Sequence, residues 1–333
     1  MKAVQFISSV RCQLSGQANL HCAGMGWLSN GKCHSTKRLD GKVVIVTGSN
    51  TGIGRYTALD LARRGAEVIM ACRDLEKAEA AAGGIRKRVP EANLKVMRLD
   101  LSSLESVRSF CKDFLASYDN LHLLINNAGV MLSPWKLSED GFEIHFATNH
   151  LGHFLLTMLL LPTICKSAPS RIINVSSMVH RICASMSYED LNNEKLYSPT
   201  GAYARSKVAN VLFTKELARR LKGTEVTAVS LHPGVVNTEI PRHLNDLYFP
   251  GAYWLYSKMG WWLMKSPKQG AQTTLYCALE DCVESGLYYD DCAVLESSPM
   301  SNDPNVAKEL WDKSLEWVKL GNDYQLPLQH NDN

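Results

Sequence analysis

Apolar residues along this chain gather in short, nearly continuous runs, with longer helix-forming stretches between them. Val43–Val46, Glu67–Ala71, Leu94–Leu99, His122–Ile125, Arg171–Val175 and Glu225–Leu231 have the length and the Val/Ile/Leu content of strands buried on both faces. Between them lie segments such as Arg55–Arg64 and Leu75–Arg88, the second rich in Ala, Glu and Lys. Sustained strand–helix–strand alternation requires right-handed crossovers. It predicts an α/β fold: a doubly wound parallel sheet with helices on both faces. No repeat or low-complexity linker interrupts the pattern, so a single domain is expected over 39–320, with a polar tail at 321–333.

Composition narrows the function classes. With 333 residues and 45% hydrophobic content, the chain can bury a large core. A net charge of +3 with no block of like charges gives no footprint for nucleic acid. The 10 cysteines are scattered without a C-x-x-C pair, which points to free thiols in a reducing compartment rather than to zinc or a disulfide framework. The longest apolar run, Phe154–Ile164, is shorter than the roughly 18 residues of a membrane span, and reads as a buried helix. Residues 1–38 stand apart: they lack Asp and Glu but hold Lys2, Arg11, Lys32, Lys37 and Arg38. That composition suits either an organelle-targeting segment or a disordered extension. A secretory signal fits worse, because Arg11 ends the apolar run Ala3–Val10.

In doubly wound sheets ligands bind beyond the carboxyl ends of the strands. There, after the first strand, stands Gly48-Ser49-Asn50-Thr51-Gly52-Ile53-Gly54. Glycines let the backbone turn tightly beside a pyrophosphate, which the following helix N-terminus stabilises. This makes the fold Rossmann-type, although the spacing is G-x-x-x-G-x-G. The second strand runs into Cys72-Arg73, where NAD-binding proteins usually carry an acid for the ribose hydroxyls. A guanidinium there suits a 2′-phosphate, so NADP(H) is the expected cofactor. The plainer alternative makes Arg73 a solvated charge beside Asp74.

Tyr203 and Lys207 are four residues apart on a helical pattern and so share one face. A tyrosine hydroxyl, with an ordinary pKa near 10, needs a nearby cation before it exchanges protons readily at neutral pH. The fifth strand ends in Ser176-Ser177 and the fourth in Asn126-Asn127-Ala128-Gly129; Asn149 opens an apolar helix, and the sixth strand leads to Pro233-Gly234 with Thr238 beyond. Alone, Asp100 could cap a helix, and Asn149 could start one. His145, His150, His153 and His180 lack ligand-like spacing and read as packing or surface residues.

Taken in order, these motifs resemble the short-chain dehydrogenase/reductase superfamily over residues 41–320. The resemblance implies that Tyr203 is the general acid or base, with Lys207 lowering its pKa and holding the nicotinamide ribose. It further implies that Ser177 binds the substrate oxygen and that Asn149 supports a water-linked proton path to Lys207. Gly48, Ser49, Asn50, Gly52, Ile53 and Gly54 would form the pyrophosphate turn, and Asp100 would reach the adenine. Asn127, Gly129, Pro233 and Thr238 would line the cofactor. Between Ser176 and Ser177, the family motif favours the second. The 26 residues from Ser177 to Tyr203 imply an insertion around 182–197 bordering the pocket.

The retinol dehydrogenase and retinal reductase branch is the most similar. The stretches that carry this are Ala71–Asp74, Leu123–Met131, Asn149–Phe154, Ser167–Arg171, Leu212–Leu221 and Trp261-Trp262 before Lys265-Ser266-Pro267. The implied substrate is an apolar alcohol or carbonyl, retinol/retinal first. The segment 239–268 is the expected substrate loop, and its Tyr248, Trp254, Trp261 and Trp262 suit a long apolar ligand, packing or dimer contacts, or a membrane surface. The rival readings are a reductase of other lipid, steroid or xenobiotic carbonyls and a non-catalytic NADPH-binding scaffold. Many branch members carry an N-terminal membrane anchor that residues 1–38 do not resemble. The expected location is therefore mitochondrial, or peripheral on an intracellular membrane, rather than free cytoplasmic or secreted, with a homo-oligomer allowed.

Overall fold

Buried β-branched runs build the centre of the molecule. The computed structural model describes residues 31–237 and 264–321. Thr238, the aromatic stretch up to Leu263, residues 1–30 and most of the polar tail thus lie outside the described residues. β1 (Val43–Thr47), β2 (Glu67–Cys72), β3 (Leu94–Arg98), β4 (Leu123–Asn126), β5 (Ser170–Val175) and β6 (Val226–His232) fall within a residue or two of the predicted strands. They join two short strands, β7 (Tyr288–Asp290) and β8 (Ala293–Val294), in an eight-stranded sheet of order β3-β2-β1-β4-β5-β6-β7-β8. The expected parallel sheet is present from β3 through β7, and only the edge strand β8 pairs antiparallel, to β7. These two strands, of three and two residues, are too short to give a hydrophobic period.

Strand order reverses at β1, which pairs in parallel with β2 on one side and β4 on the other. This is the topological switch point at which such sheets open a crevice. Helices α1 (Gly52–Arg63) and α2 (Leu75–Arg86) cover one face together with α6 (Pro267–Leu279). The other face carries α3 (Leu104–Leu115), α4 (Ile144–Lys166), α5 (Pro199–Arg220) and α7 (Pro304–Trp317). Caps set where helices begin: Asp74 accepts from Lys77 N, Ser198 from Gly201 N ahead of Pro199, and Ser266 forms a capping box with Gln269. Phe110, Phe114, Phe154 and Trp311 fill the second core. At about 1.5–3 kcal/mol for each large apolar side chain buried, that layer fixes how α4 and α5 lie on the sheet.

The apolar run predicted as a buried helix extends back to Ile144. α4 is long and apolar enough to cross a membrane, yet 83% of its apolar window is buried inside the fold. Residues 31–38, grouped by composition with the leader, instead lie along the domain. Gly31 N bonds Asp291, Cys33 N bonds Gln272, and Arg64 binds the carbonyls of Ser35 and Lys37. The described cysteines are free thiols.

Candidate active site

At the switch point the glycine turn is pressed against the loop after β4. Gly48 and Gly52 have φ of 63° and 55°, where a Cβ is strained. A Cβ on Gly48 would lie 2.9 Å from Ala128 Cα, and one on Gly54 would lie 2.5 Å from Asn127 Nδ2 and from Gly48 O. Asn127 closes the contact by donating its N–H to Thr47 Oγ1 and its side-chain amide to Thr47 O. Ser49 and Ile53 are buried, and the Ser49 hydroxyl faces Cys72 Sγ at 3.5 Å. Thr51 makes no side-chain cap on α1, whose first turn carries no acid. The leading N–H groups of α1 are thus available to an anion, as a dinucleotide pyrophosphate requires.

Beyond β2, Arg73 is exposed and its Nε lies 4.0 Å from Asp100 Oδ2. Asp74, its sequence neighbour, instead caps α2 and pairs with Lys77. Asp100 accepts both the N–H and the hydroxyl of Ser102, while Ser103 caps α3. Arg73 and Asp100 therefore border the same end of the crevice.

Catalytic candidates converge where β4, β5 and α5 meet. Tyr203 and Lys207 lie one turn apart in α5, both buried, with Lys207 Nζ 5.6 Å from the Tyr203 ring centroid. Burial pulls the Lys207 pKa down from 10.5 to about 8, so the ammonium survives at neutral pH but is easily perturbed. It donates to Val175 O at 3.0 Å, using one of its three N–H groups. Asn149 sits in a π-helical turn, Ala147–Leu151, inside α4 rather than at a helix start. Such one-turn distortions re-aim a side chain. Its side chain clamps Val130 at both N and O and donates to Ser206 Oγ. Gly129 lies between these groups: a Cβ there would sit 3.2 Å from Asn149 Oδ1 and 3.6 Å from Lys207 Nζ.

Ser176 and Ser177 separate cleanly. The buried Ser176 hydroxyl donates to Lys207 O at 2.7 Å and so anchors α5. Ser177 Oγ accepts from Val179 N at 3.2 Å, which leaves its proton to donate. Pro233 follows β6 at the same sheet edge.

Several neighbours have no signature in the sequence. His145 packs edge-on to the Tyr203 ring, with centroids 6.2 Å apart. It receives Ser133 N at Nε2 and bonds the buried Glu143 carboxylate through Nδ1 at 2.7 Å. Asn192 bonds Glu143 N and Gly141 O, and Tyr197 OH donates to Ser133 O, so the expected insertion is fastened to this wall. All four histidines set aside in the sequence are buried, and each makes hydrogen bonds.

A family model described as short chain dehydrogenase matches residues 42–247. The chain belongs to the short-chain dehydrogenase/reductase family. Human (Homo sapiens) retinol dehydrogenase 11 is 49% identical over 295 residues, covering 88% of this chain and 91% of that protein. Retinol dehydrogenase 12 of the same organism is 48% identical over 296 residues, covering 88% and 92%. Among solved structures, an uncharacterised protein from Mycobacterium Paratuberculosis is 36% identical with a TM-score of 0.68, covering 88% of this chain and 97% of that one. A short chain dehydrogenase from Shigella flexneri complexed with NADP shares the fold, with 24% identity, a TM-score of 0.59 and coverage of 77% and 98%. This short-chain dehydrogenase/reductase is thus an oxidoreductase of the retinol dehydrogenase branch.

Proposed function

We propose that this oxidoreductase uses NADP(H) to interconvert an apolar alcohol and its carbonyl, with retinol and retinal as the leading pair and Tyr203 as the proton-transfer residue. The observation that carries the reading is the Tyr203–Lys207 pair, one turn apart on α5 and set against Gly129 and Asn149 at the open edge of the sheet. Gly48, Asn50, Gly52 and Gly54 would hold the pyrophosphate, and Arg73 the 2′-phosphate. Asp100 would hold the adenosine end, and Asn127, Gly129, Pro233 and Thr238 would line the nicotinamide half. Ser49 and Ile53 support the turn from beneath. When bound, NADPH supplies the hydride.

The remaining chemistry belongs to side chains. Ser177 donates to the substrate carbonyl oxygen and fixes it beside Tyr203. Tyr203 gives that oxygen a proton in reduction and takes one back in oxidation. The Lys207 ammonium stabilises the phenolate left behind, and the Asn149 carbonyl supports the water that returns a proton through Lys207. The names of the two human relatives and the aromatic content of residues 248–264 support an apolar substrate. The acid-free, basic start and a lipid-dissolved substrate both suit a mitochondrial or membrane-peripheral site.

The test is NADPH oxidation across carbonyls from short polar aldehydes to all-trans-retinal, with steroid and xenobiotic ketones included. Burying a large apolar group contributes about 1.5–3 kcal/mol, so kcat/KM is expected to rise at least roughly tenfold from short to long chains. Equal efficiency throughout would remove the retinoid assignment. No turnover on any carbonyl would favour a scaffold.

A further inference from the structure

Asn149 is held at its backbone carbonyl by a side chain that the proposed chemistry does not use. His153, one turn further along α4, is buried, with Nδ1 3.1 Å from Asn149 O and Nε2 2.9 Å from Thr47 Oγ1. The partners dictate where the protons lie. A backbone carbonyl only accepts, so Nδ1 carries hydrogen. Burial holds the pKa of the ring down at about 3, so it is neutral and Nε2 is an acceptor. The Thr47 hydroxyl then donates to Nε2 at 2.9 Å in preference to the Ile125 carbonyl, which lies at 3.4 Å. Its oxygen remains free to accept the N–H groups of Asn127 and Ala128, each at 2.9 Å. One directed chain of hydrogen bonds therefore runs from the loop after β4, through the end of β1, to the π turn.

We propose that His153 is a positioning residue: as the Nδ1–H tautomer it fixes the Asn149 carbonyl relative to the cofactor-binding loop, so that cofactor seating and the proton path are set by one link. The inference rests on the role given to Asn149 above. A structural imidazole would need only to fill its space, whereas this one must donate at one nitrogen and accept at the other.

The two ends can be cut separately. His153→Gln puts an amide near Nε2 and loses the donor to Asn149; His153→Asn keeps a donor near Nδ1 and no longer reaches Thr47. On the full chain, four quantities are measured: NADPH Kd, kcat and KM for retinal, thermal unfolding, and ¹⁵N histidine shifts without cofactor. The His153 signal is assigned by its loss in His153→Gln. The expected result is a neutral Nδ1–H ring from pH 6 to 9. His153→Gln should lower kcat about 10-fold or more with Kd nearly unchanged, and His153→Asn should weaken Kd about 10-fold with a smaller loss of kcat, as for loss of one buried hydrogen bond. Thr47→Val should follow His153→Asn, and Thr47→Ser should restore affinity. An Nε2–H tautomer would overturn the proposal. So would equal losses in both His153 variants that simply follow their melting temperatures. Full turnover by Tyr203→Phe would instead defeat the functional reading and leave the tautomer result standing.

Discussion

At the scale of single residues, the site is a set of side chains whose chemistry is fixed by what they touch. Lys207 stays cationic at neutral pH although buried, and Ser177 keeps a proton to give because its oxygen only accepts. The closeness of Tyr203 to Lys207 and the tight glycine turn were legible in the sequence, because spacing puts them on one helix face or in one turn, whereas their proposed roles rested on the family resemblance. The choice between Ser176 and Ser177 rested on analogy, because two adjacent serines differ only in where the strand end points them. Cofactor choice is also a residue-scale matter. Arg73 is exposed beside Asp100, and the buried Cys72 takes the place of the usual acid. A charged hydrogen bond contributes about 1.5–3 kcal/mol. Cys72→Asp combined with Arg73→Ala should therefore shift the NADPH/NADH ratio of kcat/KM by about 10- to 150-fold towards NADH. A wild-type enzyme indifferent to the two cofactors would contradict the role of Arg73.

At the scale of elements, continuous apolar runs located six of the eight strands, because buried parallel strands need no polar alternation. The π turn in α4 left no trace in the periodicity, because one extra residue in a buried helix hardly alters an already apolar pattern. Glu143 and Asn192 were equally invisible: their pairing spans segments far apart in the chain. The junction of β1, α1 and the loop after β4 depends on close backbone approach. Gly54→Ala should weaken NADPH binding at least roughly tenfold, because its Cβ would strike Asn127 and Gly48. Gly83→Ala is the control: an added Cβ there meets nothing within 4 Å in the last turn of α2, and alanine should stabilise the helix by up to about 1 kcal/mol. Fluorescence titration and thermal melts distinguish them, and unchanged affinity in Gly54→Ala would contradict the close-approach account.

At the scale of the whole molecule, helices on both faces of the sheet enclose polar groups that must stay neutral. Burial lowers the pKa of His150, His153 and His232 to about 3 and that of His180 to about 4. The unfolded chain protonates these rings near pH 6.5, so below that pH it binds more protons than the folded state does. Their contribution to stability is complete above pH 6.5 and is lost as the pH falls towards about 4 for His180 and about 3 for the other three. Four such groups give a slope of up to about 5 kcal/mol per pH unit, against a typical total stability of about 5–15 kcal/mol. Chemical denaturation between pH 7 and 4 should therefore show a steep loss beginning below pH 6.5. A flat profile down to pH 4.5 would mean that these rings are solvated in solution. The sequence marked His150, His153 and His180 as non-ligands but gave no measure of their burial, which arises only when α4, α5 and α7 close over the sheet.

In the proposed chemistry Tyr203 transfers the proton. The most direct test of this step compares all-trans-retinal reduction by the wild-type enzyme and Tyr203→Phe, with NADPH Kd measured on both. Phenylalanine keeps the ring in its packing and removes only the hydroxyl. The predicted result is near-complete loss of kcat with the NADPH Kd changed by no more than about threefold, less than one hydrogen bond's worth. Substantial residual turnover, or turnover lost only because NADPH no longer binds, would contradict it.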